Sequence, residues 1–180
     1  MYKLSGFILK LWGWKLIGHF PPDVPKYIIA IGPHTSNWDF PLGMLIRSAT
    51  RADVKFVAKD SLFKFPYGFF FRWLNGYPVN RSKSQHFVEN VVKLYHDNEK
   101  FAIVMSPEGT RKKVEKLKSG FYYIARKAGI PIILSKFDWE HKLVSFSELI
   151  YTTENMDEDM KLIMQYFKGV KGKNPEQGLM

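Results

Sequence analysis

The chain has 180 residues, enough for a single domain with a real hydrophobic core. It contains no cysteine, which excludes disulfides, thiolate nucleophiles and cysteine-based zinc sites. Its formal net charge of +10 favours polyanionic partners: phosphorylated ligands, an anionic bilayer or nucleic acid.

Residues 1–20, MYKLSGFILKLWGWKLIGHF, set Leu4, Phe7, Ile8, Leu11, Trp12 and Trp14 among Lys3, Lys10 and Lys15. The apolar runs fall short of the ~18 residues that cross a bilayer. No small-residue cleavage site follows them, so the segment does not read as a signal peptide. It suits an amphipathic helix lying in a membrane interface, with packing onto the protein's own core as the other reading. PPDVP (21–25) breaks any helix. KYIIAIGP then predicts a buried strand stopped by Gly-Pro, followed by a helix over about 38–48 and a strand over 54–59. Aromatics dominate 62–76, and YPVN is a short strand. Residues 83–97 predict a helix with Phe87, Val88, Val91, Val92 and Tyr95 on one side. FAIVMSPEG repeats the strand-into-polar-loop pattern. A helix over 119–128 ends at Gly129. A strand follows over 130–139, an outer strand over 141–150 and an amphipathic helix over 155–168. This alternation predicts an α/β fold with a mixed, largely parallel central sheet flanked by helices. The organisation expected is a membrane-contact segment over 1–20, one α/β domain over 21–170 and a polar tail over 171–180.

Ligands of such sheets bind beyond the carboxyl ends of the strands. Two of these strands end in polar loops, GPHTSNWD and SPEGTR. Parallel neighbours would bring both loops to one edge. In the first, Ser36 or Asn37 is placed to cap the next helix. His34 then precedes the helix and Asp39 sits in its first turn. From there the carboxylate can reach back to one imidazole nitrogen, fixing the tautomer and leaving the other as a base. This is the base-and-orienter half of a triad with no enzyme nucleophile, so the substrate's own hydroxyl would attack. A solvated histidine beside a helix cap is the competing reading. In the second loop, Gly109 permits close backbone approach, and Thr110 and Arg111 suit phosphate oxygens. Glu108 can pair with an arginine or accept from a substrate hydroxyl. A plain surface turn also fits. Arg81, Lys59 and Lys118 follow strands or precede helices and can add positive charge to one phosphate pocket.

In order and spacing these pieces resemble the PlsC-like glycerolphosphate and lysophosphatidic acid acyltransferases. His34 and Asp39 match the family's H-x4-D motif, and Asn75–Arg81 (NGYPVNR) resembles its second motif, ending in Arg. Pro107–Arg111 (PEGTR) matches its third, and Gly129–Ile133 (GIPII) resembles its Pro-containing fourth. The likeness spans about residues 26–140. It departs at Asn75, where Gly is usual, and at Leu134, where a second Pro is common. The resemblance implies a glycerolphosphate acyltransferase-like fold with His34 as general base, oriented by Asp39. It implies acceptor-phosphate contacts from Arg81, Glu108, Gly109, Thr110 and Arg111, with Lys59 a further candidate, and an acyl or structural role for Gly129 and Pro131. It further implies an acyl-CoA or acyl carrier protein donor, a lysophospholipid acceptor, no cofactor and no metal. It implies a cytoplasmic protein peripherally associated with the cytoplasmic membrane, where such an acceptor sits. There the N-terminal segment and FKFPYGFFFRW are the expected contacts. The alternatives are another lysolipid acceptor, such as an amino-acid lipid, and a nucleic-acid-binding domain. The dispersed lysines and the lack of a recognition motif count against the latter.

Overall fold

A computed structural model describes residues 2–79 and 84–178, excepting the side chains of residues 59, 79 and 84–86. The centre of the fold is the strand that the sequence makes most apolar. β2 (Lys26–Gly32) buries five of its seven residues, which requires cover on both faces. It stands fourth in a seven-stranded sheet of order β1-β7-β6-β2-β5-β3-β4. The other strands are β1 (Lys15–Ile17), β3 (Val54–Lys59), β4 (Gly76–Val79), β5 (Phe101–Met105), β6 (Ile132–Asp138) and β7 (Leu143–Phe146). All neighbours run parallel except β6 and β7, which are antiparallel.

Side chains alternate between the two faces. Ile28 and Ala30 join Ile103, Ile132 and Leu134 under α4 (Ser84–Asp97), α5 (Gly120–Ala128) and α6 (Met156–Phe167), which contribute Val91, Tyr95, Phe121, Ile124, Ile163 and Phe167. Helix α6 is docked by Asp159, which accepts hydrogen bonds from the Tyr122 hydroxyl (2.8 Å) and the Thr153 backbone N–H (2.7 Å). On the opposite face, Tyr27, Ile29, Val54, Ala102 and Ile133 form one cluster. Leu9 of α1 (Tyr2–Leu11) and Leu42 and Ile46 of α2 (Asp39–Thr50) form another with Phe137 and Val144.

Three features depart from the expected elements. The N-terminal segment is helix only to Leu11. Gly13, with φ 84°, then turns the chain into β1, an edge strand that pairs with β7 from Lys15↔Leu143 to Ile17↔Ser145. The expected outer strand over 141–150 is therefore short and second from the edge. The aromatic segment folds as a 3₁₀ turn (Asp60–Phe63) followed by α3 (Gly68–Trp73). Its Phe63 is buried, whereas Phe65 is 98% exposed.

Register places the two polar loops. Ala30 pairs with Met105 and Gly32 with Lys136. The chain after β2 and the chain after β5 therefore leave the same sheet edge side by side, as the sequence predicts.

Candidate active site

The loop after β2 is organised by the carboxylate of Asp39, whose residue is 2% exposed. Its Oδ2 accepts from the backbone N–H of Thr35 and of Ser36, both at 3.0 Å, and lies 3.0 Å from His34 Nδ1. An oxygen already holding two N–H groups has no proton to offer. Nδ1 therefore donates, and Nε2 of a neutral imidazole carries the lone pair. The expected cap is replaced by a different device. Ser36 Oγ accepts from Trp38 N–H (3.2 Å), and the N-cap residue Trp38 makes no side-chain cap. Asp39, one position inside the helix, instead turns back onto the free N–H groups of the loop.

The loop after β5 is tied to the first by Glu108, 1% exposed. Its Oε2 accepts from the His34 backbone N–H (2.7 Å) and from Ser106 Oγ (3.4 Å), while its buried Oε1 has no hydrogen-bond partner among the described residues. Burial pushes this carboxyl above its ordinary range, although the His34 N–H pulls it down. Glu108 thus braces the histidine loop from beneath. Gly109 follows with φ 65° and lies against the aliphatic part of Lys118. A side chain there would be strained by the positive-φ backbone.

A cavity of about 1320 Å³ opens at this sheet edge and is lined by His34, Asp39, Gly109, Thr110 and Arg111 together. One part of it passes between α2 and the sheet along Ile29, Ile31, Val104 and Phe137 to Phe20 and Phe146, whose rings lie 4.4 Å apart. Phe20 also stacks on Tyr27, near the start of β2. From Gly32 to Tyr27 the strand covers about 16 Å. Arg111, Lys112 and Lys118, on the chain after β5, also line the cavity, as does Lys127 from the last turn of α5. One site therefore joins a candidate base, a deep apolar channel and a cationic rim.

Residues 19–133, more than half of the chain, match the acyltransferase family. The chain belongs to that family. No curated protein matches it. Among solved structures, the 1-acyl-sn-glycerophosphate (LPA) acyltransferase PlsC from Thermotoga maritima shares its fold, with a TM-score of 0.65 and 22% identity. The match covers 93% of this chain and 75% of that one.

The remaining candidates of this acyltransferase fall into three groups. Arg81 lies outside the described residues, and Lys59 ends β3, one strand beyond β5. Gly129 takes φ 65° as the C-cap of α5. Pro131 is buried and its carbonyl accepts from Ile28 N–H (3.1 Å). Both stand before the amino end of β6, at the opposite sheet edge from His34, where they shape the α5–β6 connection. The two departures from the family motifs have local reasons. Asn75 adopts φ 69°, a conformation that Gly and Asn tolerate best. Leu134 is buried in the core and donates its N–H to Ser147 Oγ (2.9 Å), a bond proline cannot make.

Several contributors are not read from the sequence. Trp139 Nε1 donates to Asp39 Oδ1 at 2.8 Å across 100 positions. The segment after α6 returns over the histidine loop, where Asn174 donates its backbone N–H to Thr35 Oγ1 (3.1 Å) and its amide to Thr35 O (2.9 Å). The Gln177 amide, with its nitrogen turned inward, reaches Thr35 O (3.1 Å) and Arg111 O (2.8 Å). Residues expected as a polar tail thus clip the two site loops together. No spacing rule links such distant positions.

Proposed function

We propose that the protein transfers a fatty acyl group from a thioester donor, acyl-CoA or acyl carrier protein, to the hydroxyl of a lysophospholipid. The favoured acceptor is 1-acyl-glycerol 3-phosphate, which would give phosphatidic acid. The observation that carries this reading is His34, its Nδ1 3.0 Å from Asp39 Oδ2, lining a cavity with an apolar channel on one side and cations on the other. An acyl chain suits the channel, and a phosphate suits the rim of Arg111 and Lys118. The likeness to a solved LPA acyltransferase fold agrees with it.

His34 Nε2 takes the acceptor's hydroxyl proton as the oxygen attacks the thioester carbonyl. The tetrahedral intermediate collapses, the C–S bond breaks, and the imidazolium returns the proton to the leaving thiolate. Asp39 holds the imidazole in the required tautomer and stabilises its cationic form. Glu108 positions the base through the His34 backbone. No covalent enzyme intermediate, metal or cofactor enters this scheme.

Access to a lysolipid calls for peripheral membrane contact. α1 buries Ser5 and Leu9 and exposes Leu4, Phe7 and Leu11, while the α3 region exposes Phe65, Tyr67, Phe69 and Trp73. Both elements touch α2: Ser5 Oγ bonds Ser48 Oγ (2.7 Å), and Arg47 donates to Leu74 O (2.8 Å). The two apolar surfaces thus flank the helix that roofs the channel. No helix among the described residues is long and apolar enough to cross a membrane.

An acyl-transfer assay over a panel of lysolipid acceptors with both donor types tests the reading. His34→Ala is expected to reduce kcat by about 10²–10⁴-fold with the fold intact. Arg111→Ala is expected to weaken use of phosphate-bearing acceptors selectively. Near-normal turnover by His34→Ala rules out the base, and an unchanged acceptor profile in Arg111→Ala rules out the phosphate contact.

A further inference from the structure

We propose that Trp139 is a positioning residue for the His34–Asp39 pair, its indole N–H fixing the second carboxylate oxygen and so aiming the imidazole into the cavity. The proposal rests on the acyl-transfer reading of that pair. It adds a residue from outside the region that matches the family, which ends at residue 133.

Oδ2 of Asp39 holds His34, Thr35 and Ser36. With that oxygen alone held, small coupled changes of the Asp39 χ1 and χ2 angles can still tilt the carboxylate about Oδ2 and shift the imidazole bonded to it. The Trp139 bond to Oδ1 at 2.8 Å supplies the second anchor and satisfies a buried acceptor. Trp139 is itself held from several directions. Its backbone N–H donates to Lys171 O (2.9 Å). Trp14 and Trp12 pack edge-on against its ring, with centroids 5.0 Å and 5.9 Å away. Lys173 Nζ sits 4.9 Å from the ring centre. The anchor is thus rigid at both ends.

Packing alone does not account for the choice of tryptophan here. Trp14 belongs to the same aromatic cluster, yet among the described residues its buried Nε1 has no hydrogen-bond partner. An indole nitrogen therefore enters this cluster without being aimed at an acceptor, whereas that of Trp139 is aimed at the carboxylate next to the base. Trp14 also provides a control, because its replacement disturbs the cluster without removing a bond to Asp39.

Trp139→Phe keeps an aromatic ring but deletes the N–H. It is expected to reduce kcat by about 10- to 100-fold, the effect of a slightly misplaced catalytic group, with KM for donor and acceptor changed less than about twofold. Trp139→His restores a ring N–H and should recover part of kcat. Trp14→Phe should leave kcat within about twofold in the folded protein. Full kcat in Trp139→Phe, or equal losses in Trp139→Phe and Trp14→Phe, would overturn the proposal. A second measurement needs no turnover. In the full chain labelled with 15N-tryptophan, Asp39→Asn should displace the Trp139 indole N–H resonance and leave that of Trp14 in place. An unmoved Trp139 resonance overturns the proposal. If the wild-type chain transfers no acyl group while the resonance moves, the failure lies with the functional reading and not with the Trp139–Asp39 bond.

Discussion

Two buried carboxylates act on His34 in different ways. Asp39 faces the ring, and Glu108 faces the backbone N–H. Their environments differ accordingly. Asp39 gives both oxygens to donors, whereas Glu108 has no partner for Oε1 among the described residues and burial raises its pKa. A raised carboxyl binds its proton more tightly in the folded chain than in the unfolded one. Stability from this source is complete below the ordinary value of 4.5 and is lost as pH rises through the raised folded value. Glu108→Gln keeps an acceptor for the His34 N–H and cannot ionise. Urea midpoints followed upward from pH 4.5 are expected to fall more steeply in the wild-type chain than in Glu108→Gln. Parallel curves would show that Glu108 ionises as freely folded as unfolded.

The His34–Asp39 contact is legible in the sequence because it is local. Five positions across a loop and a first helical turn suffice to bring a carboxylate to an imidazole. The partner on the far oxygen is not legible, since Trp139 reads only as the end of an apolar strand. Glu108 is recognisable as a motif residue, but its burial and its grip on the His34 backbone become visible only once β2 and β5 are adjacent.

Among the elements, the strands with continuous apolar runs are the ones the sequence identifies most directly. β2, β5 and β6 are buried on both faces, and their composition reports it. β1 escapes notice because three residues, with Ile17 more than half exposed, leave no period to read. The C-terminal segment escapes for another reason: its polar residues satisfy the polar atoms of a loop instead of filling a core. Asn174→Ala removes one side-chain hydrogen bond to Thr35 O, worth about 1 kcal/mol. It is therefore expected to lower Tm by about 2–4 °C. Gly172→Ala should be worse, because its Cβ would run into the Thr35 side chain. Calorimetry of the two variants checks both, and an unchanged Tm in Gly172→Ala would contradict the described packing. The channel offers a separate test. Phe146 closes it with Phe20, so Phe146→Ala is expected to shift donor preference toward longer acyl chains. An unaltered chain-length profile would place the acyl group elsewhere.

At the scale of the whole molecule, positive charge, exposed aromatics and the cavity mouth combine into one expectation. Phe65, Tyr67, Phe69 and Trp73 are each at least 70% exposed, an unusual grouping for a surface that meets only water. Phe65→Ser with Trp73→Ser is expected to weaken binding to anionic phospholipid vesicles in a sedimentation assay while leaving turnover of a micellar acceptor intact. Undiminished vesicle binding would assign membrane contact to α1 alone. The measurement that tests the central claim most directly is transfer of a radiolabelled acyl group from a thioester donor to 1-acyl-glycerol 3-phosphate, by the wild-type chain and by His34→Ala. Labelled phosphatidic acid from the wild type, with a loss of about 10²-fold or more in the folded variant, is the predicted result. Equal product from both would contradict a mechanism that begins at His34.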